Sequence, residues 1–244
     1  MLTHADMQSP EMTEAEMSRA EVEALLAAAS MEQPADLSGR RLNGLDLSGL
    51  DFGRASLRTA RLNKTRLAGA KLDGAVLDQA WMIDADLSDA SLQGASLFGT
   101  QMIGAHLDRA NLSRARITAD LTRASLVGAK LAGANLSADM RNQSMGLMRG
   151  NLTSARLSGA DLTDANLGRV VLDFADLTGA DLSRANLTGA ELGGADLTGA
   201  RVSGANFAGA DLNSAKLAKL RGLPEALGFD RARNLDLATT PPAQ

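Results

Sequence analysis

A leucine stands at nearly every fifth position from Leu37 to Leu217, usually two residues after an alanine. Stretches such as Ala160-Asp161-Leu162-Thr163-Asp164 and Ala180-Asp181-Leu182-Ser183-Arg184 show the unit in full: Ala, Asp or Asn, Leu, then two small or polar residues. On an α-helix a step of five carries a side chain roughly 140° past a full turn, so the leucines would scatter around the axis. On a continuous strand the odd spacing would send successive leucines to opposite faces. The period fits a three-residue extended piece that points Ala and Leu inward and the residue between them outward, followed by a two-residue corner. The chain is therefore expected to coil, each side hydrogen-bonding to the side stacked on it.

Of 35 quintets in clear register, centred on Leu37 to Ile117, Leu121 to Leu136 and Leu152 to Leu217, Leu holds the centre in 29 and Ala the place two before it in 28. Over roughly three quarters of its length the chain resembles the pentapeptide-repeat family. That resemblance implies an all-β solenoid, a right-handed quadrilateral parallel β-helix in which four quintets complete a coil of twenty residues. Asn166, Asn186 and Asn206 would then stack in one column. About 37 quintets over residues 35–219 make about nine coils, in a rod on the order of 45 Å long.

Composition agrees with a narrow interior. Aromatic residues make up 2% of the chain and Tyr is absent, whereas Leu and Ala can fill a coil that bulky rings would overfill. There is no cysteine, which excludes disulfides, thiolate nucleophiles and zinc-thiolate sites. The first basic residue is Arg19 and the longest apolar stretch, Ala24 to Ala29, is too short for a secretory or membrane segment, so a cytoplasmic protein is expected. Charge is uneven. The first 34 residues carry seven acids against Arg19; residues 35–219 carry 21 Lys and Arg against 19 Asp and Glu. The first coils lean basic, with Arg40, Arg41, Arg54, Arg58, Arg61, Lys64, Arg66 and Lys71 against Asp46 and Asp51.

The ends leave the period. Residues 1–12 read as a disordered start and 13–34 as a capping helix, running from about Thr13 to Ser30, with Thr13 and Glu16 as a capping box and Val22, Leu25, Leu26 and Ala29 on one face. Such a helix would lid the first coil. In residues 220–244, Pro224 to Gly228 suggests a short helical turn, with Leu223, Leu227 and Phe229 plugging the last coil or meeting a second copy, ahead of a disordered tail. The repeat is irregular over 118–151. Leu121 follows Ile117 one residue early, and Met140 reads as a second early centre after Leu136. The 35 residues from Ile117 to Leu152 then count as seven quintets, with a loop at about 139–149.

Catalytic chemistry is not visible. His4 and His106 are the only histidines, too far apart to pair on a metal, and none is placed to activate a Ser or Thr. The Asp residues before Leu are what the repeat requires, and the glycines follow no phosphate-loop spacing. No enzyme activity, cofactor, metal or small-molecule substrate is expected. Large residues at places that face out mark a candidate interaction surface: Trp81 at the polar position, with Arg61 twenty residues before it and poised to stack on the indole, and Phe98 and Phe174 at corners. Arg141, Met145 and Met148 in the loop complete it, since loops on rigid scaffolds often carry recognition.

The leading expectation is a rigid rod that binds an unidentified protein partner. The family resemblance implies an alternative, a DNA mimic that protects DNA gyrase from quinolones. Members of that kind have a strongly negative rod, a C-terminal dimer and many Phe centres, and the near-neutral, Leu-centred rod departs from them. A third reading has the basic first coils, Arg40 to Lys71, bind nucleic acid or an anionic membrane.

Overall fold

The computed structural model describes residues 6–138 and 148–239. Parallel bridges join residue i to i+20 in four columns: Asp36 to Ser56, Arg41 to Arg61, Asp46 to Arg66 and Asp51 to Lys71 begin them. These columns are the four faces of a β-helix, here faces 1 to 4 in that order. Nine full tiers run from Asp36 to Arg221. Each side is only as long as the quintet permits, so the outward residue carries the bridge while its neighbours fill the interior. Leu62 N–H donates to Trp81 O at 2.6 Å and Trp81 N–H to Ala60 O at 2.9 Å, and the same pair of bonds recurs between tiers throughout.

Most corners close with a bond from the next inward residue to the carbonyl of the central residue, as in Ala60 N–H to Leu57 O at 3.1 Å. The second corner residue has positive φ, the signature of a type II turn. Glycine takes that place without steric cost at Gly194 (φ 65°), whereas Phe174 holds it at φ 59° despite its side chain. Inside, the Leu and Ala columns are sealed, nearly all at 0–2% exposure. Thr65 and Thr100 replace Ala, and their buried hydroxyls donate to Leu42 O at 2.8 Å and Leu77 O at 2.9 Å. No buried side-chain polar atom among the described residues lacks a partner.

Two irregularities in the sequence are one feature in space. The bridges Gln101–Asp120 and Arg116–Asn135 span 19 residues, because the corner between faces 1 and 2 loses a residue at Ile117 to Asp120. One tier below, that same corner holds an insertion: Asp120 pairs with Asn151, and Leu136 is followed on the next side by Leu152. Five sides, not seven quintets, therefore separate Ile117 from Leu152. The expected early centre at Met140 lies outside the described residues. The insertion's stem crosses the core edge at Gly150, whose N–H donates to Leu136 O at 3.0 Å. A β-carbon there would meet that carbonyl at 2.9 Å, so only glycine fits.

The N-terminal helix differs from its expectation. α1 spans Pro10–Thr13 and α2 spans Arg19–Ala28. Thr13 does not cap; its hydroxyl bonds back to Ser9 O at 2.9 Å as the last residue of α1. The capping box is Ser18 with Glu21, the same S/T-x-x-E pattern five residues on. What divides the helices is an antiparallel bridge, Ala15 with Leu42, supported by Glu16 N–H to Arg41 O at 2.9 Å. That pairing satisfies the free upper edge of face 2, while Val22 (0% exposed) covers the open interior.

At the other end the period becomes six instead of vanishing. Arg221, Leu227, Arg233 and Thr239 are the bridge residues, and between them lie 3₁₀ turns at Leu223–Glu225, Phe229–Arg231 and Leu235–Leu237. Each turn is preceded by a left-handed residue, Gly222, Gly228 or Asn234, and each drops an apolar residue, Leu223, Phe229 or Leu235, against the core. Phe229 meets Phe207 edge to face at 5.2 Å. The apolar plug is thus a three-sided tenth tier, in which Leu227 is 56% exposed on the outside. Of the tail expected to be disordered, Thr239 to Gln244, Thr239 is instead bridged to Lys216, its N–H donating to Ala215 O at 2.8 Å, and 240–244 lie outside the described residues.

Candidate interaction surface

Face 2 gathers the departures from the repeat. Its upper tiers carry the N-terminal arm: Asn43 Nδ2 donates to Glu11 O and Glu14 O at 3.1 and 3.0 Å, Asn63 Nδ2 donates to Met12 O at 3.2 Å, and Met12 is buried. Its lower tiers carry the stem of the insertion. Met148 lies over Gly99, and the Arg149 guanidinium grips Glu191 through two bonds, 2.8 and 3.2 Å, with a third to Arg169 O. A cleft of about 390 Å³ opens beneath that stem, lined by Gln101, Thr118, Asp120, Asn151, Thr153 and Val171 among others. Between arm and stem, Trp81 sits half-buried in the face 2 column, bridged to Arg61 and Gln101.

The expected stacking of Arg61 on Trp81 is not formed. Arg61 turns to Glu11 at 3.4 Å, because the arm brings a carboxylate within reach. Phe98 lies at a half-buried corner with the Arg116 guanidinium 4.8 Å above its ring. Phe174 stands out from the opposite edge of face 2 at 69% exposure. Arg141 and Met145 lie outside the described residues. The structure thus places Arg61, Trp81 and Met148 on or beside one face, and Phe98 and Phe174 on its two edges. Residues that sequence reasoning passed over are Glu11 and Arg116, which engage Arg61 and Phe98, and Glu191, which holds Arg149 in the insertion's stem; only the folded arrangement reveals them.

The acidic arm also settles on the basic first coils. Glu16 reaches Arg40 and Arg41 at 3.5 and 3.3 Å, and Arg19 reaches back to Asp46 at 3.8 Å. Arg58, Arg66 and Lys71 pair along the rod with Asp78, Asp46 and Asp51. Of the eight cations only Arg54 and Lys64 have no ion pair among the described residues, which weakens the case for a nucleic-acid or membrane patch. Cross-tier pairs of this kind recur down the rod. Arg66 beside Asp46, Arg109 beside Asp89 and Arg184 beside Asp164 hold those carboxyls below the usual range by direct hydrogen bonds. Asp173 behaves in the opposite way: burial pushes its carboxyl up and Glu191 and Asp211 add to this, against the Gly193 N–H it accepts and the nearby Arg149.

Among the described residues no group of His, Asp and Glu could hold a metal ion, and no helix is long and apolar enough to cross a membrane. The family model for pentapeptide repeats matches in eight copies over residues 41–137 and 151–221. Among curated proteins none matches. Of the solved structures, HetL, a pentapeptide repeat protein involved in heterocyst differentiation regulation from the cyanobacterium Nostoc sp. strain PCC 7120, is 32% identical, with a TM-score of 0.70 over 93% of this chain and 99% of its own. QnrB1, a plasmid-mediated fluoroquinolone resistance protein, is 18% identical, with a TM-score of 0.63 over 75% of this chain and 92% of its own, a likeness of fold. With repeat matches over more than half of its length and a structure this similar along nearly all of it, the chain belongs to the pentapeptide-repeat family.

Proposed function

We propose that the chain is a non-enzymatic, cytoplasmic binding rod that engages a protein partner along face 2, between the N-terminal arm and the insertion. One observation carries this reading: the N-terminal arm and the insertion come to the same one of the four faces and leave Trp81 between them. Half-buried tryptophan flanked by arginine is the composition of a binding hot spot. HetL, the similar pentapeptide repeat protein, is described as involved in regulation, which agrees with a binding role. Affinity capture from native extract with wild type and Trp81→Ala tests it. We expect Trp81→Ala to lose the specific partner while its melting temperature stays within about 2 °C of wild type, since the side chain lies outside the core. An identical set of captured proteins would put the binding surface elsewhere.

The DNA-mimic reading finds less support. Residues 35–219 carry 21 basic against 19 acidic groups, so the rod offers no strong negative field to a DNA-binding surface. In a supercoiling assay with ciprofloxacin we expect no protection of gyrase at micromolar protein; protection would reinstate it. A homodimer through the tenth tier belongs to the proposal as well, on the strength of exposed Leu227 and Leu237 (56% and 54%). Light scattering after gel filtration should give twice the 25.3 kDa chain mass, and Leu227→Asp should restore the single mass.

A further inference from the structure

Phe174 differs from every other large apolar side chain of the repeat. The buried ones point inward, and Phe98, the other corner aromatic, is covered by Arg116. Phe174 is 69% exposed, and no ring or cation meets it among the described residues. Its ring packs beside Gly194, close enough that a β-carbon there would stand 2.7 Å from Cδ1 and 2.8 Å from Cε1. Glycine in the next tier is therefore what leaves room for the ring, most of which stays open to solvent.

The surroundings are acidic. Asp173 and Asp176 flank the ring in sequence, and neither takes part in an ion pair among the described residues. Glu191 and Asp211 follow in the face 2 column one and two tiers on; Arg149 and Arg233 answer them singly. An aromatic face carries negative charge density and attracts a cation, more so with carboxylates at its rim. On this rod both halves of such an arrangement already occur with arginine: Arg116 lies over Phe98, and Arg149 grips Glu191.

We propose that Phe174 beside Gly194, flanked by Asp173 and Asp176 with Glu191 and Asp211 one and two tiers on, is a docking point for a basic segment of a protein partner, one arginine or lysine of which lies over the exposed ring. The inference rests on the reading of the chain as a protein-binding rod and assigns the partner's charge and contact point. Charge complementarity selects the basic occupant: a neutral apolar segment would bury Asp173 and Asp176, which have no ion pair among the described residues, without compensation, at a cost.

Fluorescence anisotropy at low salt tests it with labelled twelve-residue peptides, four repeats of Arg-Gly-Ser and four of Gln-Gly-Ser. We expect the arginine peptide to bind and the glutamine peptide not to. Phe174→Ala, which leaves the net charge unchanged, should weaken binding roughly five- to thirty-fold, and Phe174→Trp should restore it. Equal affinity of Phe174→Ala and wild type would overturn the proposal by reducing the effect to diffuse charge. Failure of the arginine peptide to bind wild type would overturn it too. Trp81→Ala, which tests the wider reading through the captured partner, should leave peptide affinity unchanged, so the two readings fail separately.

Discussion

Leu126→Ala is expected to lower the free energy of unfolding by about 3–5 kcal/mol, the upper part of the range for buried leucine truncations. Leu126 is fully buried at mid-rod, between Leu107 in the tier above and Leu157 in the tier below. A cavity costs most where its walls cannot collapse, and these walls are backbone ladders: Leu107 N–H bonds to Ser125 O at 2.6 Å and Leu126 N–H to Arg156 O at 2.7 Å. Moving either tier inward would stretch bonds on all four faces. Urea unfolding followed by circular dichroism measures the loss, and the slope should remain that of wild type if the rod unfolds as one unit. Leu217 lies in the ninth tier, with only the three-sided tenth beneath it, and its replacement should cost about half as much. A loss below about 1 kcal/mol at Leu126 would mean that the interior relaxes freely, against the sealed packing described above.

The period of five carried most of the fold because each quintet encodes a side and a corner with no reference to distant residues. The number of sides per tier came from family resemblance, since twenty-residue spacing leaves only a weak mark, such as the asparagine column at Asn166, Asn186 and Asn206. Where reading failed, the missing fact was three-dimensional. Counting from Ile117 to Leu152 in fives treats a lost residue and an inserted loop as compensating along the chain, whereas they are stacked at one corner in adjacent tiers. The C-terminal period of six was in plain view in Gly222-Leu223, Gly228-Phe229 and Asn234-Leu235, each pair followed three residues later by Ala. A template of five passes over it.

Partner choice was harder to read than position. Arg61 and Trp81 are indeed neighbours across one tier, as spacing requires, but an acid fifty residues away from Arg61 in sequence decides where the guanidinium points. The candidate surface was legible as a set of places where large residues break the rule. That Trp81, the arm and Met148 share a face depends on the phase of four columns, which shifts at Asp120 and again at Asn151.

Removing the N-terminal cap should change the protein's state of association more than any lateral substitution. Val22 closes the interior above the first tier, and Ala15 pairs with Leu42 on the free edge. Val22→Asp would set a carboxylate against the first-tier core, where an unpaired charge costs several kcal/mol, so α2 should lift off in preference to burying it. The uncovered end then presents apolar side chains and unpaired strand groups, the conditions for end-to-end stacking. We expect concentration-dependent association by sedimentation velocity for Val22→Asp and a single species at the wild-type size for Glu11→Gln with Glu16→Gln. The second variant has a different signature. It releases Arg40, Arg41 and Arg61 from their arm carboxylates while the backbone contacts at Asn43 and Asn63 hold the arm in place. Heparin affinity should therefore rise in the double Gln variant without association. If Val22→Asp stays monodisperse up to about 100 μM, the arm pairing at Leu42 alone suffices to close the end, and the lid is dispensable.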